Sequence, residues 1–93
     1  MKPLSEQEIN SALESLEGWG FNDDKLWKKF EFSDFKESLA FIVRVGIEAE
    51  LQTHHPRIFN VYNSVTIGLQ THDAGDKVTQ NDIDLATAIE GII

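Results

Sequence analysis

Three histidines are the side chains of this sequence best suited to chemistry near neutral pH. His54 and His55 are adjacent, and His72 is the only other histidine among the 93 residues. A neutral imidazole accepts a proton and an imidazolium donates one, so two imidazoles on opposite sides of a substrate could remove a proton at one atom and supply one at another. One interpretation of the cluster is therefore an acid–base site that needs no redox cofactor.

Two other interpretations of the histidines must be weighed. Histidines at strand ends and in loops are commonly surface residues or hydrogen-bonded structural ones. Imidazole is also a common zinc ligand. Adjacent residues of an extended chain point to opposite faces, so His54 and His55 would not easily share one ion, and neither a His-x₃-His spacing nor a cysteine pair is present. We therefore expect no metal site, while the structural and acid–base interpretations both stay open.

Three further residues could support a histidine site, and each also has a structural explanation. Glu50 could orient an imidazole or raise its proton affinity, or it could be an exposed charge near a helix end. Asp82 is explained as a helix-capping residue. Trp19 could stack on a flat heterocycle, but tryptophans of small domains more often fill the core. The sequence has no phosphate-binding glycine loop, no Gly-x-Ser-x-Gly motif and no basic aromatic strip. These absences narrow the possible classes of enzyme to those that use acid–base chemistry.

Length and composition predict a single globular domain over residues 1–93. The hydrophobic fraction is 41%, enough for a packed core, and cysteine is absent, which fits a reducing cytoplasm. A formal charge of −8 would repel nucleic acids and anionic lipid surfaces, so we expect neither as a direct partner. No segment resembles a secretory signal or a membrane span.

The elements that must position the histidines follow from hydrophobic periodicity, caps and turns. Two β-hairpins alternate with three helices, in the order α-β-β-α-β-β-α, which favours an α+β fold: a four-stranded antiparallel sheet with three helices packed on one face. In the last strand Val65, Ile67 and Leu69 face one way, and His72 continues the opposite, polar set. The predicted helices cover residues 5–17, 33–52 and from Thr79 onward; the predicted strands cover residues 19–21, 26–32, 58–62 and 65–71.

The second helix is predicted to be apolar around much of its circumference. A broad stripe is followed by a second apolar edge, so the helix should contact more than its own sheet. In so short a chain a subunit contact is the plausible second contact, and we expect an oligomer. The stripe contains Phe35, Leu39, Ile42, Val43, Gly46 and Ala49, and the second edge contains Phe41, Val45 and Leu51.

The sequence around the histidines resembles the pterin-4a-carbinolamine dehydratase family. That family has an acidic residue, a His-His-Pro, an aromatic, a later histidine and an aspartate in this order. One departure is Thr53, where members of the family often have an acidic residue. The matching segments are Glu50-Leu51-Gln52-Thr53-His54-His55-Pro56, Phe59-Asn60-Val61-Tyr62-Asn63, Thr71-His72 and Asp82-Ile83-Asp84-Leu85-Ala86.

The resemblance implies a hydro-lyase that converts 4a-hydroxytetrahydropterin to quinonoid dihydropterin and water, in the recycling of tetrahydrobiopterin. By family analogy His54 and His72 would be the acid and the base, and His55 would hold the ring. Glu50 and Asp82 would support the histidines, and Trp19 matches an aromatic near the pocket of the family. The implied substrate contacts are Thr53, His54, His55, Gln70, Thr71, His72 and Asp73.

The resemblance also implies what the protein would and would not bind. The enzyme would need no cofactor and would act as a homodimer or homotetramer. Some animal relatives also stabilise dimers of a homeodomain transcription factor through a helical surface, so a binding role is an alternative. A dehydratase of another, molybdopterin-related pterin pathway is a further alternative, because the sequence does not identify the natural substrate.

Overall fold

The computed structural model describes residues 1–93 and has the predicted element order. Its helices are α1 (Glu6–Leu13), α2 (Phe35–Leu51) and α3 (Gln80–Glu90). Its strands are β1 (Gly20–Asn22), β2 (Lys25–Glu31), β3 (Arg57–Val61) and β4 (Ser64–Leu69), and a short 3₁₀ turn covers His72–Ala74. The predicted α+β architecture is confirmed, with strand and helix ends that differ by a few residues. None of the helices is long and apolar enough to cross a membrane.

The four strands form one antiparallel sheet in the order β1-β2-β4-β3. The central strand β4 alternates as its sequence predicts: Val65, Ile67 and Leu69 are fully buried under the helices. Residues on the other face of β4 are covered by no helix, and they include Gly68, which pairs with both β2 and β3. The sheet therefore has one core face and one open face.

Helix α1 is shorter than predicted. Ser5 and Glu8 form the expected capping box, with Glu8 N donating to Ser5 Oγ over 3.1 Å and Ser5 N donating to Glu8 Oε1 over 2.8 Å. After Leu13 the backbone amides donate to carbonyls three residues back rather than four, so the chain tightens instead of continuing to residue 17. These turns bring Leu16 and Trp19 into the core, where both are buried. Tertiary packing of two large apolar side chains thus ends the helix early.

Helix α2 begins after Asp34, whose carboxylate accepts from Glu37 N over 2.8 Å, and its buried apolar residues come from both predicted groups: Ala49 from the stripe, and Phe41 and Val45 from the second edge. Phe41 and Val45, assigned above to a minor edge, are core residues at 3% and 0% exposure. Much of the predicted main stripe faces solvent instead. Because both sides of the helix are apolar, periodicity alone could not identify the core side. The exposed residues are Phe35, Leu39, Val43, Ile47 and Leu51.

Candidate active site

The carboxyl end of α2 delivers the two adjacent histidines to opposite environments. Thr53 N donates to Glu50 O over 3.1 Å, and His54 N donates to Ala49 O over 2.9 Å. This is the Schellman arrangement, in which the residue after the cap adopts a left-handed backbone, and Thr53 has a φ of 51°. The turn leaves the His54 side chain 10% exposed and the His55 side chain 67% exposed. A single tight turn therefore separates a buried histidine from a surface one.

The end of β4 positions the third histidine. Thr71 continues the strand as a bridge to Lys77, with Thr71 N donating to Lys77 O over 2.8 Å. The chain then turns through the 3₁₀ segment from His72 and leaves it at Gly75, which has a φ of 78°. As a result Thr71 points into the protein and His72 lies on the surface, with its side chain 91% exposed.

The amino end of α3 supplies a fully buried carboxylate, that of Asp82. Its Oδ2 accepts from Thr79 N over 2.8 Å, which completes the predicted capping box, and from Thr71 Oγ1 over 2.9 Å. Its Oδ1 lies 2.5 Å from His54 Nε2. Thr71 Oγ1 and Thr79 Oγ1 are also 2.7 Å apart. The capping explanation of Asp82 is thus correct but incomplete, because the same carboxylate binds a histidine.

This network determines which ring nitrogen of His54 can meet a ligand. Nε2 is held by Asp82, and Nδ1 makes no hydrogen bond within the protein. No side-chain nitrogen or oxygen is both fully buried and unpaired, so Nδ1 is accessible. A carboxylate that accepts from one nitrogen of a neutral imidazole leaves the other nitrogen with its lone pair free. His54 is therefore arranged to accept a proton at Nδ1.

The two exposed histidines each have an acidic partner. His55 Nε2 lies 2.5 Å from Glu50 Oε1, so Glu50 supports His55 rather than His54. His72 Nδ1 lies 2.9 Å from Asp76 Oδ1. The hydrogen bond to Asp76 raises the pKa of His72 above its ordinary value of 6.5, and the negative charges of Asp76 and Asp73 raise it further. Both effects favour the protonated form of the His72 side chain.

A cleft of about 300 Å³ brings these residues together. All seven residues to which the resemblance assigns substrate contacts line it, so the structure gathers the whole predicted set. The eighth lining residue is Asn81, which the sequence analysis missed although it directly precedes Asp82 in the predicted cap. The lining residues are Thr53, His54, His55, Gln70, Thr71, His72, Asp73 and Asn81.

Nowhere in the structure do three histidine, aspartate or glutamate side chains converge in an arrangement that could hold a metal ion. The largest depression of the surface, about 550 Å³, lies elsewhere, on the open face of the sheet beside Trp27 and Lys29. It contains no histidine and no carboxylate. We assign the candidate active site to the smaller cleft because acid–base chemistry requires groups that titrate near neutral pH.

Trp19 does not line the cleft; it is a buried core residue, which is the more common position of tryptophans in small domains. Its ring packs edge-on against Phe30, with 6.1 Å between ring centroids, and its Nε1 donates to Glu90 Oε2 over 3.0 Å. Glu90 ends α3, whereas Asp82 stands in the first turn, and eight helical residues span about 12 Å. The structure therefore assigns Trp19 to the core at the far end of α3.

Comparisons with known proteins relate nearly the whole chain to one family. The family model described as "Pterin 4 alpha carbinolamine dehydratase" matches residues 2–92. A protein of Opitutus terrae named "Putative pterin-4-alpha-carbinolamine dehydratase" is 45% identical over 89 residues, covering 96% of this chain and 92% of its own. A protein of the same name from Christiangramia forsetii is 44% identical, covering 100% and 95%. The crystal structure of a "transcriptional coactivator/pterin dehydratase" from Brucella melitensis superimposes with a TM-score of 0.92 at 36% identity, covering 98% of each chain.

Proposed function

The chain belongs to the pterin-4a-carbinolamine dehydratase family, and from this premise we propose that it is a hydro-lyase that converts 4a-hydroxytetrahydropterin to quinonoid dihydropterin and water. The observation that supports the proposal most strongly is the histidine cleft. It combines a histidine oriented by the buried Asp82 with an exposed histidine, His72, whose pKa is raised. A proton acceptor and a proton donor in one cleft are what a dehydration requires.

The proposed reaction balances without a cofactor. The C4a–O bond breaks, and the hydroxyl group leaves as water after it receives a proton. N5 loses its proton, and the electron pair of the N5–H bond forms the C4a=N5 double bond. No atom outside the substrate is oxidised or reduced, so one general acid and one general base are sufficient.

In the proposed mechanism His72 is the acid and His54 is the base. Asp76 favours the imidazolium form of His72, which can donate to the departing hydroxyl group. Nδ1 of His54 receives the N5 proton, and Asp82 stabilises the imidazolium that forms, as an aspartate does for the histidine of a catalytic triad. A substrate with the opposite configuration at C4a would present its hydroxyl group to His54 and exchange the two roles. His55, held by Glu50, positions the ring.

The direct test is a stopped-flow measurement of the dehydration of freshly generated 4a-hydroxytetrahydropterin. The protein should accelerate the reaction, and replacing His54 and His72 together by alanine should abolish the gain, because positioned acid–base catalysis supplies about 10²–10⁴-fold. A double variant as fast as the parent protein would refute the assignment. Loss of pterin recycling in cells that lack the gene would place the reaction after aromatic amino-acid hydroxylation.

We also propose that the exposed apolar side of α2 is covered by a second copy of the chain, giving a homodimer or homotetramer. The side chains of Phe35, Leu39, Val43 and Ile47 are 45–61% exposed and lie on one side of a long helix. Contiguous apolar surface of this kind marks an interaction site.

The same surface supports a second candidate function, the binding of a transcription factor. The solved neighbour from Brucella melitensis is named both a coactivator and a pterin dehydratase. In that case a protein partner would dock on α2, and the variant without His54 and His72 would keep the partner while losing catalysis. If this double variant no longer bound the partner, the result would argue against a binding role separate from catalysis.

A further inference from the structure

The histidine cleft does not end at the histidines but continues onto the open face of the sheet. An adjoining cleft of about 180 Å³ shares His55, Gln70 and His72 with it. The new residues of this second cleft include Arg57 and Gly68, which stand opposite each other on β3 and β4. A ligand held between the histidines could therefore extend over the sheet without leaving a protein surface.

A third depression, of about 430 Å³, continues the path and is lined by Trp27, Arg57, Ile58, Phe59 and Thr66. It shares Arg57 with the second cleft. Trp27 pairs with Gly68 from the other side, so Trp27, Gly68 and Arg57 form one row across three strands. We call the continuous path from the histidines along this row the trough.

Glycine at position 68 lets the indole of Trp27 lie across the sheet. A Cβ atom on Gly68 would stand only 2.5 Å from Trp27 Cζ3, closer than any real side-chain contact. Trp27 Nε1 donates to Asn22 O over 3.0 Å, which fixes the ring in this position. The result is a flat, half-exposed aromatic surface beside the trough, suited to stacking against a planar group.

Arg57 is a cation of the trough without an acidic partner. Its only side-chain hydrogen bond is a long one, 3.4 Å, to Gln70 Oε1. The chain has a net charge of −8, yet the ion-paired cations are Lys25, Lys28, Lys29 and Lys77, not Arg57. Asp76 is the one acidic residue that lines the second cleft, and its carboxylate is paired with His72. A guanidinium whose only partner is one long hydrogen bond to a neutral amide is well suited to bind a carboxylate or phosphate.

We propose that the trough is a subsite for the C6 substituent of the substrate, and that the preferred substrates are reduced pterins whose C6 substituent contains a planar group and ends in an anion. This inference rests on the proposed dehydratase function. C6 is bonded to N5, the atom deprotonated between the histidines, so a substituent there begins where the two clefts meet. The planar group stacks on Trp27, and the terminal anion pairs with Arg57.

The test compares two 4a-hydroxytetrahydropterins, one with a short neutral dihydroxypropyl group at C6 and one with a p-aminobenzoylglutamate group. The parent protein should show a lower KM for the anionic substrate, and this advantage should shrink as salt concentration rises. Arg57→Gln should raise the KM of the anionic substrate about tenfold, because one charge-assisted hydrogen-bonded pair is lost. The kcat for the anionic substrate and the KM of the neutral substrate should each change by less than about twofold. Arg57→Lys should restore part of the affinity.

Two controls separate the subsite from other effects. Arg44→Gln removes the same charge from α2, away from the trough, and should leave both KM values unchanged. Gly68→Ala should displace the Trp27 ring and weaken the binding of the anionic substrate more than that of the neutral one. Equal KM values for both substrates with the parent protein, or an equal change of both with Arg57→Gln, would overturn the subsite while leaving the dehydratase intact. Failure to dehydrate either substrate would overturn the proposed function and the subsite with it.

Discussion

Nε2 of His54 lies 2.5 Å from Oδ1 of Asp82, although 28 positions separate the two residues in the sequence. The contact joins the carboxyl end of α2 to the amino end of α3, and Thr71 and Thr79 hold the other carboxylate oxygen. One side chain thus caps a helix and orients a histidine, so the position of His54 is fixed by the same network that starts α3.

The first prediction concerns Asp82→Asn. The side-chain oxygen of asparagine can still cap α3, but its neutral amide cannot stabilise an imidazolium on His54. We expect dehydration to slow by roughly 10²–10⁴-fold and the free energy of unfolding to fall by about 1–3 kcal/mol, because a buried network loses a charged acceptor. Stopped-flow kinetics and urea unfolding measure the two effects. Asp84→Asn, on the exposed side of the same helix, should change neither; full activity of Asp82→Asn would exclude the orienting role.

The second prediction concerns Asp76→Asn and the pH dependence of the reaction. Asp76 raises the pKa of His72 through a hydrogen bond and its charge, and the proposed mechanism needs His72 protonated. Activity should fall as pH rises through the raised pKa, and the variant should move this alkaline limb to lower pH. Asparagine tolerates the φ of 60° at this position, so the turn should persist. Asp73→Asn should give a smaller shift in the same direction, and an unmoved limb would remove His72 as the acid.

The same pKa shift has a defined sign in stability. Because the pKa of His72 is higher in the folded state than its ordinary value of 6.5, the Asp76 pair stabilises the fold fully below pH 6.5. The contribution is lost as pH rises through the raised pKa. Since the pair lies on the surface, salt should weaken it. Asp76→Asn should therefore reduce the difference in unfolding midpoint between mildly acidic and alkaline buffers.

The third prediction concerns the backbone at Thr53. A β-branched residue with a φ of 51° is strained, and the Schellman turn normally has glycine there. We expect Thr53→Gly to raise the free energy of unfolding by about 0.5–1 kcal/mol. Glycine relieves the strain of the left-handed backbone, and its greater entropy in the unfolded chain offsets part of this gain. Gln52→Gly, one residue earlier at a φ of −93°, should destabilise the protein instead. A destabilised Thr53→Gly would show that the threonine side chain stabilises the turn.

The sequence predicted the elements and most of the site, and its failures have physical causes. Caps and periodicity located α3, the two hairpins and the inward set of β4, because those signals are local. The core side of α2 could not be identified from periodicity because both of its sides are apolar. The contact of His54 with Asp82 and the position of Trp19 depend on how α2, α3 and the sheet pack, which no local spacing encodes. The trough could not be predicted for the same reason: its row joins residues of three strands.

The last prediction concerns the exposed side of α2. If a second copy of the chain covers it, Val43→Glu should place a charge in an apolar interface and produce monomers, because an unpaired buried charge opposes association by several kcal/mol. Val43 is 61% exposed within one chain, so the substitution should cost the isolated fold little. Light scattering after gel filtration at several protein concentrations measures the mass. Lys36→Glu adds an acidic residue at another exposed position of the same helix and should leave the oligomer intact. A parent protein that is monomeric at every concentration tested would contradict the proposal, and the apolar surface would then be free for a different protein partner.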